Sequence, residues 1–265
     1  MRVPGGRLDG FGHPSSIEHT FERHQPTIRA IPTRQMDHNS LSISGISRTE
    51  LLRRTGAADD EAVIIAVEGP SAAGKTTWCH QQEWPVVPEY TPTDHEPDGS
   101  DEERRAAYWT DVNVGRWHQA VRLEQQSRVV LCDSDPLKLH YAWCLARVGA
   151  APWSRFEHEL RHARAAFGTG RLGLADVALV FIPAPEILQR RWAQDSSRRR
   201  RSFGLHQTLG PPLREWYRAV ERVAPGRVIW SFPSDGVRGM PSPRPQRSDP
   251  ELLERILTAL PDPTE

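Results

Sequence analysis

The stretch Val63-Ile64-Ile65-Ala66-Val67-Glu68-Gly69-Pro70-Ser71-Ala72-Ala73-Gly74-Lys75-Thr76-Thr77 decides the fold. Its first five residues are apolar and, Ala66 apart, β-branched, the composition of a strand buried in a parallel sheet. Gly69 and Gly74 then bracket four residues, and Lys75 and Thr76 follow: a complete phosphate-binding loop (P-loop) pattern. The spacing has a physical reason. Glycine lets the backbone curl round a phosphate where a Cβ would clash, and the loop N–H groups turn toward the phosphate oxygens. Lys75 brings a point charge to the β- and γ-phosphates, and the Thr76 hydroxyl can ligate Mg²⁺. A Gly/Ala-rich turn alone is only a turn. Here a strand leads in and helix-forming residues lead out, the context a true P-loop requires.

The rest of the chain has the alternation that this start implies. Strands are expected at 62–68, 85–89, 128–132, 176–182 and 227–232, and helices at 75–82, 101–126, 136–148, 153–167, 185–194 and 211–223. A last helix runs to 260 after a Ser248-Asp249-Pro250-Glu251 capping signal. Strands alternating with helices at crossover spacing predict an α/β fold. The expectation is a P-loop NTPase three-layer sandwich of about five mainly parallel strands, with helices on both faces and an Arg-rich lid. The domain is expected to span 61–262, with a Pro-rich loop at 233–247. Residues 1–60 read as a leader whose scattered apolar residues cannot build a core, with a possible short helix at 47–58. Its Arg and Ser content is that of some transit peptides, but Asp9, Glu18, Glu22 and Asp37 argue against targeting.

Composition excludes some classes. With 34 basic and 34 acidic side chains among 265 residues, no net charge draws the chain to nucleic acid. No apolar run approaches membrane-span length, and the N-terminus has no secretory apolar stretch. Three cysteines, Cys79, Cys132 and Cys144, lack metal-type spacing and suggest reduced thiols in a cytoplasmic protein.

Acidic side chains at expected strand ends are the next candidates. Asp133, in Val129-Val130-Leu131-Cys132-Asp133-Ser134-Asp135-Pro136, can hold Mg²⁺ or take a proton from a substrate hydroxyl. Asp135 reads equally as a helix cap before Pro136. Glu89 can be a general base, hold a sugar hydroxyl, or be a solvated acid; Tyr90 can stack on a ring or pack. Arg190, Arg191 and Arg198 to Arg201 form a basic cluster after the fourth strand. In a P-loop domain such a cluster suits a lid that neutralises charge on the moving phosphoryl group; otherwise it is a solvated loop. His158-Glu159-Leu160-Arg161-His162 matches a zinc-binding pattern on a predicted helix, against a solvated polar face.

These motifs together resemble the P-loop kinases of the nucleoside and nucleotide kinase group. The chain looks most like the ATPase-domain family that contains the nicotinamide riboside kinase domain of bacterial NAD-salvage proteins. The resemblance rests on Gly69 to Thr77, Glu89-Tyr90, Asp133-Ser134-Asp135 and Trp192-Ala193-Gln194-Asp195-Ser196-Ser197-Arg198, the last similar to a Trp-x-x-Asp-x-x-Arg lid signature. It implies that Lys75 and Thr76 bind ATP and Mg²⁺, that Asp133 is the metal or base carboxylate, and that Arg198 is the lid arginine. The expected catalytic set is Lys75, Asp133, Arg198 and Glu89. The expected nucleotide set is Gly69, Ser71, Ala72, Ala73, Gly74, Lys75, Thr76 and Thr77 with Arg190; Thr76 and Asp133 are the expected metal ligands. The expected partner is a small-molecule phosphoryl acceptor, nucleoside-, sugar- or natural-product-like, receiving the γ-phosphoryl of ATP on a hydroxyl or phosphate. The alternative is a regulatory ATPase with no acceptor. Asn-Lys-x-Asp, which a switch GTPase needs, is absent, and Ser134 rather than an acid follows Asp133; both favour the kinase.

Overall fold

Each long strand sends alternate side chains to opposite faces, and in this chain both faces are apolar. In β1 (Val63–Glu68), Ile64 and Ala66 join one core while Val63, Ile65 and Val67 join another. β3 (Val129–Asp133) and β4 (Val177–Val180) divide in the same way. A sheet buried on both sides must lie between two layers. The computed structural model describes residues 62–194, 203–237, 244 and 246–262. The leader, Arg198 and most of the 238–245 stretch lie outside them.

Five strands form one sheet in the order β2-β3-β1-β4-β5, where β2 is Val86–Val87 and β5 is Val228–Ile229. All four pairings are parallel. The expected α/β sandwich is therefore the observed architecture, with every strand parallel. The helices are α1 (Lys75–His80), α2 (Glu102–Glu124), α3 (Leu139–Arg147), α4 (Trp153–Gly168), α5 (Pro185–Gln194), α6 (Phe203–Thr208), α7 (Gly210–Val223) and α8 (Pro250–Thr258). One face is covered by α2, α3, α4, α7 and α8, through residues such as Trp117, Trp143, Phe167, Trp216 and Ile256. The other carries Trp78 and Cys79 of α1 with Val237. Each fully buried branched side chain contributes about 1.5–3 kcal/mol. Gly173 is fixed by packing, since a Cβ there would meet Trp117 Cζ2 at 2.4 Å.

Element ends differ from expectation for local reasons. β2 is shorter than 85–89 because Pro85 and Pro88 have no N–H to give to a ladder. α3 begins at Leu139, not at Pro136. The Asp135 carboxylate accepts the Leu137 N–H at 3.0 Å and holds residues 135–138 as a turn, and Lys138, with φ 49°, stands outside the helix. α8 is capped by Asp249, which accepts from Glu251 N at 2.9 Å, rather than by Ser248. β5 is cut to two residues, and α6 lies in what reads from sequence as an Arg-rich link. The three cysteines are free and buried. Burial, then the nearby Asp133 charge, pushes the Cys79 thiol up to about 12, so it is inert at neutral pH. No helix among the described residues is long and apolar enough to cross a membrane.

Candidate active site

The site is built where β1, β3 and β2 end. Gly69 is required by space: a Cβ there would meet Phe181 O at 2.3 Å. Gly74 is required by conformation, at φ 99°, and Ala72 sits in the left-handed region at φ 69°. The loop thus turns sharply from β1 into α1. Lys75 Nζ folds back across it to donate to Gly69 O at 2.8 Å.

Register places Asp133 opposite Val67, beside the loop. Thr76 Oγ1 donates to Asp133 Oδ2 at 2.6 Å, so two expected metal ligands meet although 57 residues separate them. Asp133 Oδ1 is buried and has no hydrogen-bond partner among the described residues. A hydroxyl beside a carboxylate with one oxygen to spare is a hard-oxygen donor set, and it fits Mg²⁺. Asp135, by contrast, is occupied: Oδ1 accepts from Leu137 N, and Oδ2 accepts from Tyr217 OH at 3.0 Å. It anchors the turn before α3 and is not the helix cap expected ahead of Pro136, since α3 begins at Leu139 with Lys138 as its N-cap residue.

Three residues that sequence reasoning did not place in the site complete it. Glu68 is buried, with Oε1 accepting from Gly69 N at 2.9 Å. Its Oε2 accepts from Ser134 Oγ at 2.8 Å and Asp135 N at 3.0 Å, and lies 3.3 Å from His140 Nε2. Burial alone would raise its pKa, but Lys138, His140 and Lys75 outweigh burial and hold it well below the usual carboxylate range. Lys138 reaches the same centre. Its ammonium pairs with Glu89 Oε1 at 3.0 Å and donates to Ser134 Oγ. Burial opposes its charge, yet Glu89 and Glu68 prevail and raise its pKa. Glu89 keeps a part-exposed carboxylate; burial is again outweighed, first by Lys138 and then by Lys75, and its pKa falls to about 2. The third residue, Arg116 of α2, donates to main-chain carbonyls at the ends of β2 and β3. A lone acid closing an apolar strand was the available signal for Glu68. Lys138 and Arg116 gave none, because each is brought in by tertiary contacts.

Two cavities flank the loop. One, of about 120 Å³, is lined by Lys75, Glu89, Lys138 and Glu68, with Tyr141 and Leu213 among its apolar walls. The other, of about 590 Å³, lies on the side of Ala72, Ala73, Gly74 and Thr77. Its walls include Trp78, Phe181 and Phe232, with ring centroids 5.8 Å (Trp78–Phe232) and 5.3 Å (Phe181–Phe232) apart. Arg191 lies on this side: it donates to Ala73 O at 2.6 Å and stands 6.0 Å from the Phe181 ring. Arg190, the expected nucleotide ligand, is exposed; one residue along a helix is a turn of about 100°, and Arg191 is the neighbour that faces the loop. Arg198 lies outside the described residues.

The other candidates resolve into structure. Tyr90 OH bonds to Glu96 at 2.5 Å and Tyr108 at 2.6 Å, which fastens the loop after Glu89. His158 and His162 both pair with Glu103, at 3.1 and 2.8 Å, while Glu159 turns to Arg155 at 3.0 Å. The acid that a zinc hydrolase would aim at its metal is thus held by an arginine.

No family model matches the chain, and no curated protein matches it. Among solved structures the chain is similar to deoxyadenosine kinase from M. mycoides with the products dCMP and dCDP bound, at 12% identity and TM-score 0.45, over 74% of this chain and 95% of that one. The same kinase with dATP bound is similar at 12% identity and TM-score 0.42, over 63% and 89% of the two chains.

Proposed function

We propose that the chain is an ATP-dependent small-molecule kinase that transfers the γ-phosphoryl group to a hydroxyl of a neutral or cationic acceptor. The observation that carries this reading is the pair of cavities on opposite sides of one P-loop, with Lys75 in one and Gly74 and Thr77 in the other. A nucleotide seated in the aromatic cleft, its base against Trp78, Phe181 or Phe232, would run its phosphates over the loop toward the smaller cavity. The acceptor would sit there, beside Glu89.

Charge narrows the acceptor. Once Lys75 is engaged by phosphates, and with the lining imidazoles of His140 and His206 neutral, the smaller cavity holds two carboxylates, Glu68 and Glu89, against one ammonium, Lys138. This excess negative charge disfavours a phosphate acceptor and suits a neutral or cationic hydroxyl compound, nucleoside-, sugar- or natural-product-like. Glu89 is ionised at neutral pH and is a weak base. In a loose transition state the hydroxyl needs orientation more than early deprotonation, so Glu89 acts by accepting its hydrogen bond and collecting the proton late. Mg²⁺, held by Thr76 and Asp133, would supply charge to the β- and γ-oxygens. Arg198 remains the proposed lid arginine; Arg198→Ala is expected to lower kcat more than it raises KM for ATP.

The test is transfer of labelled γ-phosphate to deoxyadenosine, to nicotinamide riboside and to their monophosphates, with sugars and aminoglycosides alongside. Transfer to a neutral or cationic hydroxyl, with the monophosphates poor, is expected. A preference for the monophosphates overturns the charge argument. ATP turnover indifferent to every acceptor would favour the regulatory ATPase.

A further inference from the structure

Glu89 needs something to hold it, and the sheet supplies little. β2 is a two-residue edge strand between prolines, paired only through Val86 and Val87. The chain leaves the sheet at Pro88, one residue before the carboxylate. What meets it there is Arg116, on the middle of α2 and 8% exposed.

The hydrogen bonds of its guanidinium run to main-chain carbonyls. Nε donates to Pro88 O at 3.0 Å, at the end of β2. Nη2 donates to Asp133 O at 2.8 Å and Ser134 O at 2.7 Å, and Nη1 to Asp135 O at 3.4 Å, at the end of β3. One rigid planar fork therefore bridges the two strand ends that carry Glu89 and Asp133. It also grips the carbonyl of Ser134, whose φ of 74° is strained for a residue with a side chain. Two more residues on the same α2 face, at i−3 and i−7, continue the grip. Asn113 donates to Leu137 O at 3.2 Å, and Trp109 packs edge-on to Tyr90 at 5.2 Å. The buried apolar residues by which α2 joins the core include Val114, Trp117 and Ala120.

We infer that Arg116 is a positioning residue: it sets the separation of Glu89 and Asp133 across the end of the sheet, and so the geometry between acceptor hydroxyl and phosphoryl group. This rests on the kinase reading of the site. A lysine keeps the charge but presents one donor point, so it cannot span both strand ends. A displacement of about 1 Å in such a site costs on the order of 10²-fold in rate.

The test is Arg116→Lys, with Arg116→Met as a second variant of similar length that leaves no buried charge to pair. Three results are expected of a folded variant. ATP affinity, by calorimetry, stays within about twofold, because the P-loop is untouched, while kcat falls about 10²-fold. The double variant Arg116→Lys/Glu89→Gln is slower than Glu89→Gln alone by a smaller factor than Arg116→Lys is slower than wild type, since part of the effect of Arg116 runs through Glu89. A crystal structure of the variant shows Glu89 displaced from Lys138. Multiplying rate losses, or Glu89 and Asp133 unmoved in that crystal structure, overturn the inference. If the wild-type protein transfers phosphate to no acceptor, the kinase reading fails, and the crystal structure still decides whether Arg116 holds Glu89.

Discussion

The two ends of the same sheet hold buried acids in opposite ways. At the end away from the P-loop, Asp176 is fully buried and saturated. It accepts from Ile64 N at 2.8 Å, from Arg244 N at 2.8 Å, and from Arg247 at 2.9 and 2.6 Å. Arg247 also binds Glu124 at 2.5 Å and Ala62 O at 2.7 Å. At the P-loop end, Asp133 has an oxygen with no partner among the described residues, and Ala72, Ser134 and Lys138 all have left-handed backbones. Every acceptor of Asp176 is used, which is what a clasp on the starts of β1 and β4 needs. The other end carries strain and spare acceptor capacity, which structure alone does not require and a ligand would use.

Substitutions at each end should therefore fail differently. Lys75→Ala is expected to lower phosphoryl transfer by about 10³-fold or more at unchanged melting temperature, because the ammonium meets phosphate and not core. Calorimetry and steady-state rates on one preparation check this. Asp176→Ala should do the reverse. It strands a half-buried arginine and two backbone donors, costing about 3 kcal/mol in denaturant unfolding while kcat per folded molecule holds. Loss of kcat in a folded Asp176→Ala protein would erase the contrast.

Lys138→Met sharpens the comparison through pH. The folded pKa of Glu89 is depressed, so its contribution to stability is present above the ordinary value of 4.5 and is lost as pH falls toward about 2. Removing Lys138 leaves burial less opposed, and the Glu89 pKa rises. The wild-type rate should show no acid limb from Glu89 between pH 7 and 5, roughly three units or more above its pKa of about 2. In Lys138→Met the limb should move up, and a pH–rate profile of the two proteins side by side reads it. The smallest effect is assigned to Arg191→Ala: KM for ATP up by roughly threefold to tenfold, with kcat little changed, as for loss of a contact made equally in ground and transition states.

What could be read in the sequence follows the range of the forces involved. The parallel sheet was legible because an unbroken apolar run, in Val63 to Val67 and again in Val129 to Cys132, is a local pattern. The meeting of Thr76 with Asp133 followed from topology, since strand ends of a parallel sheet converge on the P-loop. The true extent of β2 was in principle legible from Pro85 and Pro88. Arg116 and Lys138 were not: an arginine inside a charge-rich helix and a lysine after a turn look like solvated residues until packing turns them inward. Arg191 was named in the basic cluster but not told apart from Arg190, because helix phase is fixed only when one face is anchored, here by Leu188.

The most direct measurement is ADP formation by the wild-type protein with Mg²⁺, with and without a neutral hydroxyl acceptor, repeated on Lys75→Ala. Turnover is expected to be slow alone and to rise by orders of magnitude with the right acceptor, with phosphate recovered on that acceptor, all lost in Lys75→Ala. ADP formation that no acceptor changes, or that survives in folded Lys75→Ala, would contradict the kinase reading.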